Sequence, residues 1–213
     1  MFSSPERNEI DHRTIKLTIG LIALTLANIT SFFASVPLSS ISASYYGGDW
    51  ARNIFVGFLF AISAFMLAYN GESRKEMFLS KLAAAAAFGV AMFPCGCDSH
   101  LEIIPHVHYI FSAVMFSILA ALCWIFHKRA TKKGHREALR RSAIYITCGL
   151  VIVTSMLIMA IDNITHGALT AIVQRLTFYC ERAALVTFGI SWLTASHVLP
   201  VISSKDERFS PFA

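Results

Sequence analysis

The stretch PHVHYIFSAVMFSILAALCWIF fills residues 105–126 and contains no Asp, Glu, Lys or Arg. A membrane-spanning helix needs about 20 mostly apolar residues, because it crosses about 30 Å of hydrocarbon at about 1.5 Å per residue. This stretch is long enough, and Pro105 suits the first turn of a helix, where its missing N–H is not needed. The sequence therefore predicts a membrane-spanning helix here.

Five further apolar stretches meet the same criterion, so we predict an all-α, polytopic membrane protein with six transmembrane helices in one bundle. The six predicted spans are residues 17–36, 54–69, 77–93, 105–126, 143–161 and 176–200. Pro37, Asn70-Gly71 and Pro94 end the first three. We expect one domain over residues 17–200, an N-terminal segment over 1–16 and a tail over 201–213.

The composition excludes several classes of protein. Charged residues make up 15% of the chain and hydrophobic residues 55%, whereas a typical soluble domain has about 25% charged residues. The chain is too apolar for a disordered protein or an ordinary soluble globule. It is also too poor in charge for a nucleic-acid-binding module, although its pI is about 9.1.

The distribution of basic residues predicts the orientation in the membrane. Fifteen of the 18 Lys and Arg residues lie in the N-terminal segment, the tail, the two loops on the same side as these ends and the first residues of the third span. Cytoplasmic loops carry such an excess, so we predict a multi-pass protein of the cell inner membrane with both termini cytoplasmic. We expect the charged side chains on the cytoplasmic side to be solvated.

A more varied group of polar residues falls on the predicted outer side, where several lie within or beside the spans. Charged groups at membrane depth usually face the interior of a bundle and have a role. We expect Arg52, His108 and Glu181 to converge near the outer mouth as a ligand-binding polar core. Glu181 is expected to form an ion pair with Arg52 or Arg175.

The histidines on this side also permit a metal site. His108, His166 and a carboxylate such as Asp162 or Asp98 would supply three protein ligands to zinc and leave a fourth position for water. Glu181 would then be the catalytic base. The sequence has no HExxH spacing, and interfacial, hydrogen-bonded histidines are the alternative. Haem held between His108 and His166 is a further possibility.

Serines and cysteines in the outer loops offer weaker signals. Ser42 belongs to a serine-rich stretch before Tyr45 and Tyr46, and a serine nucleophile there would need a base such as His108 within reach. The sequence shows no such contact, and lipid-headgroup contact is the alternative. Cys95 and Cys97 could form a disulfide, provide soft metal ligands, or mark a small flexible loop.

Several short motifs resemble an uncharacterised bacterial family of six-helix inner-membrane proteins. The matching stretches are SASYY at 42–46, ARNIFVG at 51–57, GVAMFP at 89–94 and FGISWL at 188–193. The resemblance implies that Arg52, His108 and Glu181 are recurrent polar positions, and it supplies no activity. More remotely, the architecture is similar to the DRAM-like proteins and to the alkaline ceramidase and adiponectin-receptor group of intramembrane zinc hydrolases.

The leading functional prediction is an integral membrane protein that binds a lipid or small molecule in a polar pocket open to the outer side. One alternative is a metal-dependent intramembrane lipid hydrolase. Another is an accessory or haem-carrying subunit of a membrane complex.

Overall fold

A computed structural model describes residues 11–98, 100–204 and 207–210 of the chain. These residues form seven α-helices and two short 3₁₀ turns, and no β-strand occurs among them. The helices are α1 (His12–Phe33), α2 (Asp49–Ala68), α3 (Arg74–Met92), α4 (Val107–Lys133), α5 (Arg136–Ile164), α6 (Ala168–Ile172) and α7 (Leu176–Ala195). The 3₁₀ turns are Ser42–Tyr45 and Pro200–Ile202. The predicted all-α class is confirmed.

The six long helices pack as a closed ring. Each contacts its neighbour in the order α1, α2, α3, α4, α5, α7, and α7 returns to α1, while α4 also touches α7 across the ring. Short connections make successive helices antiparallel. The beginning of α1 and the segment after α7 therefore meet at one end of the ring, where Arg13 Nη1 donates to the Glu207 carbonyl at 3.4 Å.

Helix starts at this end carry side-chain caps. Asp11 accepts a hydrogen bond from the Arg13 N–H at 3.0 Å, Ser73 Oγ accepts from the Glu76 N–H at 3.2 Å, and His135 Nδ1 accepts from the Ala138 N–H at 3.2 Å. Such caps satisfy backbone donors that have no partner within the helix. They allow α1, α3 and α5 to begin before the apolar stretches from which these helices were predicted.

Two glycines bring α1 and α7 into close contact. A Cβ added to Gly189 would lie 2.8 Å from the Gly20 carbonyl oxygen, and one added to Gly20 would lie 2.9 Å from the Leu193 backbone nitrogen. Small residues at a helix crossing let the backbones approach closely, a device frequent in membrane bundles. The α1–α7 contact closes the ring.

The helix faces that point away from the centre of the ring are apolar. Leu67, Phe78, Leu150 and Leu157 are each more than half exposed, and many other large hydrophobic side chains accompany them. Within the described residues, α1, α2, α4 and α5 are each long and apolar enough to span a membrane. An exposed apolar surface of this extent indicates that lipid surrounds the helices, so the chain is a membrane protein.

The helix boundaries differ from the predicted spans at both ends of the ring. α4 extends to Lys133 and α5 begins at Arg136, because polar residues continue each helix beyond its apolar part. α7 ends at Ala195, short of residue 200, and α6 lies in a stretch expected to be a loop. Most of the predicted N-terminal segment, and residues 205–206 and 211–213 of the tail, lie outside the described residues.

Candidate functional site: a polar chamber at one end of the ring

The loop over residues 34–48 covers the end of the ring opposite the termini. The beginning of α7 holds one side of it, since the Phe178 N–H donates to the Ser39 carbonyl at 3.1 Å and Arg175 Nε donates to the Leu38 carbonyl at 2.6 Å. The hydroxyls of Tyr45 and Tyr46 hold the other side by donating to the Ala91 and Cys95 carbonyls at 2.8 and 2.9 Å. Burial raises the pKa of both tyrosines, so both phenols remain neutral donors.

Ser42 and His108 form a hydrogen-bonded pair beneath this loop, and both residues are buried. His108 Nδ1 lies 2.6 Å from the Phe93 carbonyl oxygen, and His108 Nε2 lies 3.0 Å from Ser42 Oγ. A carbonyl oxygen can only accept, so Nδ1 carries the proton and Nε2 of the neutral ring accepts from the Ser42 hydroxyl. The serine therefore has a base within reach, the contact that the sequence could not show.

Glu181, on the second turn of α7, joins the same group of side chains. Its Oε2 accepts hydrogen bonds from the backbone N–H groups of Ile41 at 2.5 Å and Ser42 at 3.4 Å, and its Oε1 lies 3.4 Å from Ser42 Oγ. These two N–H groups stand at the start of the 3₁₀ turn and have no partner within it. Glu181 thus caps the turn, whereas an ion pair with Arg52 or Arg175 was predicted from the sequence.

A cavity of about 20 Å³ lies against this group inside the ring. Its polar lining comes from Ser42, Ser112 and Glu181, and apolar side chains such as Leu26 and Phe55 form the rest. A cavity that holds one water needs about 10–15 Å³, so the space fits one small polar group such as a water, an ammonium or a hydroxyl. We call this cavity and its polar lining the chamber.

Of the three residues predicted to bind a ligand, the structure brings two together. Glu181 lines the chamber, and His108 contacts the lining residue Ser42, whereas Arg52 does not belong to this group. The Arg52 side chain is 49% exposed, and its nearest carboxylate is that of Asp49 at 3.4 Å. Ser42 takes the third place, a partner that lies 66 residues from His108 in the sequence.

The residues of the predicted zinc site have other partners. Asp162 caps α6, with its Oδ1 accepting from the Leu169 and Thr170 N–H groups at 2.9 Å each. His166 is exposed at the turn before α6, and both ring nitrogens of His108 are in hydrogen bonds. The described part of the chain contains no group of three or more His, Cys, Asp and Glu side chains placed to hold a metal ion. The zinc and haem sites remain predictions.

Two cysteines and a histidine between α3 and α4 contact the covering loop. Cys95 and Cys97 are joined by a disulfide, one of the outcomes that the sequence left open. Ser40 Oγ lies 3.5 Å from Cys97 Sγ, and His100 stacks on Tyr46 with the ring centres 3.6 Å apart. These contacts brace the connection between α3 and α4 against the covering loop.

Several charged residues at the end of the ring that carries the termini are buried, contrary to the prediction from the sequence. Three of these residues, which were predicted to be solvated, are buried: Glu76 is 0% exposed, Arg141 2% and Lys16 5%. Glu76 accepts hydrogen bonds from the Tyr69 hydroxyl and from Arg129. Hydropathy averages over a span and cannot reveal that charges of opposite sign meet between helices.

The fold and the chamber together define a class: an all-helical integral membrane protein with a buried polar group inside a ring of helices. The chain belongs to the family described as "Protein of unknown function (DUF998)", which matches residues 39–191, more than half of its length. The match includes Ser42, His108 and Glu181. No curated protein and no solved structure matches the chain significantly.

Proposed function

We propose that this protein binds the polar end of a lipid or other small molecule in the chamber. The single observation that carries the proposal is the Glu181 carboxylate on the wall of a cavity that is otherwise largely apolar. Ligand sites commonly combine apolar walls with a few placed polar groups. A carboxylate accepts hydrogen bonds and attracts positive charge, so a primary ammonium or a hydroxyl group is the end that suits it.

We further propose that six helices span the cell inner membrane, that both termini are cytoplasmic, and that the chamber lies on the outer side. The excess of Lys and Arg at the end of the ring that carries the termini supports this orientation. The covering loop over residues 34–48 would then lie at the membrane–water interface on the outer side of the inner membrane. A ligand could enter there from the lipid or from water.

Native mass spectrometry of the protein purified in a mild, uncharged detergent tests ligand binding. We expect a bound species in the wild type that is lost in Glu181→Gln, which keeps the size of the side chain and an acceptor for the Ile41 N–H. Arg182→Gln is the matched control, because Arg182 is the next residue on α7 and is exposed. The proposal fails if the wild type carries no ligand, or if both variants retain it equally.

The Ser42–His108 hydrogen bond favours a second candidate, acyl transfer by a serine nucleophile. Ser42 Oγ would attack a carbonyl carbon, and its proton would pass to His108 Nε2 and then to the leaving group. Labelling by a small fluorophosphonate should then occur in the wild type and be lost in Ser42→Ala and His108→Gln. Absence of label, or label that persists in Ser42→Ala, would exclude this candidate.

Metal analysis of the purified protein addresses the metal-dependent lipid hydrolase. Near-stoichiometric zinc that is lost in a His108→Ala/His166→Ala double variant would restore that hypothesis, with Asp162 as third ligand and Glu181 as base. A Soret absorption band would instead support the haem-carrying subunit. Neither result is needed for ligand binding in the chamber.

A further inference from the structure

A second cavity, of about 30 Å³, lies at the end of the ring that carries the termini. Among the described residues, four cationic side chains line it: Lys16 from α1, Arg129 and Lys133 from α4, and Arg141 from α5. Glu72 is the one carboxylate among the lining residues that the structure describes. A concentration of positive charge from three different helices around one cavity is an arrangement suited to an anion.

The segment after α7 already places an anion beside this cavity. The Glu207 carboxylate accepts hydrogen bonds from Lys133 Nζ at 2.6 Å and from Arg141 Nη2 at 2.7 Å. It also lies 3.7 Å from His135 Nε2 and 3.8 Å from His197 Nδ1. Charge-assisted hydrogen bonds of this kind are the strong ones. The tail therefore supplies an internal carboxylate to a group of donors able to bind an anion.

Lys16 is the cation of the lining with the most binding capacity left. The residue is 5% exposed, and its nearest carboxylate oxygen among the described residues, on Glu72, is 3.6 Å away. Its ammonium lies 5.5 Å from the centre of the Tyr69 ring and 5.6 Å from that of Phe126. A buried ammonium with three donors is costly without close acceptors. Arg129, in contrast, is already paired with Glu72 and Glu76.

We infer that this cavity is a binding site for a phosphate monoester or phosphate ion, held by Lys16, Lys133 and Arg141. The ligand would displace the carboxylate of Glu207. A cavity of this volume has space for two or three water-sized groups, and a phosphate presents three acceptor oxygens. Because the site lies where the membrane surface is expected, the phosphate could belong to a lipid headgroup or be free in solution.

Calorimetric titration of the full-length protein in an uncharged maltoside detergent, at fixed low salt, tests the inference. The probes are inorganic phosphate and dihexanoyl phosphatidic acid, with dihexanoyl phosphatidylcholine as the lipid control. Lys133→Gln should weaken binding about tenfold or more, because it removes one charge-assisted hydrogen bond. Lys132→Gln is the matched control, since Lys132 is exposed on the same turn and does not line the cavity.

Glu207→Gln provides the sharper test, because it removes the internal competitor. Binding should become about tenfold tighter, whereas a merely structural role for Glu207 predicts weaker binding or none. Binding of both phosphate and phosphatidic acid identifies a phosphate site, and binding of phosphatidic acid alone identifies a lipid headgroup as its source. The inference is overturned if neither probe binds the wild type or Glu207→Gln, or if Lys133→Gln and Lys132→Gln bind equally.

Discussion

Replacing Glu76 should cost more stability than replacing any exposed carboxylate at the same end of the ring. Glu76 is fully buried, and it accepts hydrogen bonds from Tyr69, from Arg129 and from the Glu72 N–H at 3.2 Å. Removing one partner of a buried ion pair typically costs about 3–5 kcal/mol. Arg129 is 25% exposed and keeps Glu72 at 2.8 Å, so we expect Glu76→Ala to lie near the lower end, at about 3 kcal/mol.

The matched control is Glu72→Ala, because Glu72 contacts the same arginine with a side chain that is 57% exposed. Exposed ion pairs contribute at most about 1 kcal/mol. Reversible unfolding in mixed micelles, with an increasing fraction of anionic detergent, measures both free energies. Equal losses of stability, with both variants below about 1 kcal/mol, would contradict a stabilising role for the hydrogen bonds that buried Glu76 accepts from Arg129 and Tyr69.

Two further predictions concern the two ends of the ring. In a cysteine-free background, His166→Cys should react with an impermeant maleimide in intact cells, whereas Gly134→Cys should react only after permeabilisation; the reverse pattern would invert the proposed orientation. Acid should also weaken the packing of the segment after α7. Burial and the nearby charge of Arg141 lower the pKa of His197 from 6.5 to about 4, and in Glu207 the hydrogen bonds from Lys133 and Arg141 outweigh burial and lower the pKa to about 2. Both pKa values are lower in the folded protein, so protonation favours release of the segment. Stability should fall between about pH 6.5 and pH 4 as His197 is protonated, and further as the pH falls from 4.5 towards 2 through the titration of Glu207. Protease sensitivity of the segment measures both steps, and His197→Gln should abolish the first; a pH-independent cleavage rate would contradict the assignment.

The length and apolar composition of the stretches were sufficient to predict the all-α class and the approximate positions of the long helices. The helix ends could not be placed in this way, because they depend on capping groups such as Ser73 and His135 that stand outside the apolar stretches. The five-residue helix α6 depends on Asp162, whose carboxylate caps it from the end of α5. Amino-acid composition carries no information on such a local contact.

The candidate site was predictable only in part. His108 and Glu181 were identified because polar side chains within apolar spans are costly and therefore conspicuous. Ser42 was one of several serines in the same loop, and only the folded chain shows which of them meets His108. Arg52 was expected beside them from its level in the membrane, but its position on α2 turns it towards the exterior. Depth in the membrane alone does not determine which residues face the same cavity.

Reactivity of a cysteine inside the chamber tests the central claim most directly. Ser112→Cys would place a thiol on the chamber wall, in a background where Cys123, Cys148 and Cys180 are replaced by alanine. We would measure the rates at which this thiol reacts with aminoethyl methanethiosulfonate, which carries an ammonium, and with sulfonatoethyl methanethiosulfonate, which carries a sulfonate. Each rate is divided by the rate of the same reagent with a free thiol in solution. We expect the ammonium reagent to be favoured about tenfold or more by the Glu181 carboxylate, and Glu181→Gln to remove this preference. Equal normalised rates for the two reagents, or a preference that survives Glu181→Gln, would contradict a chamber built around Glu181.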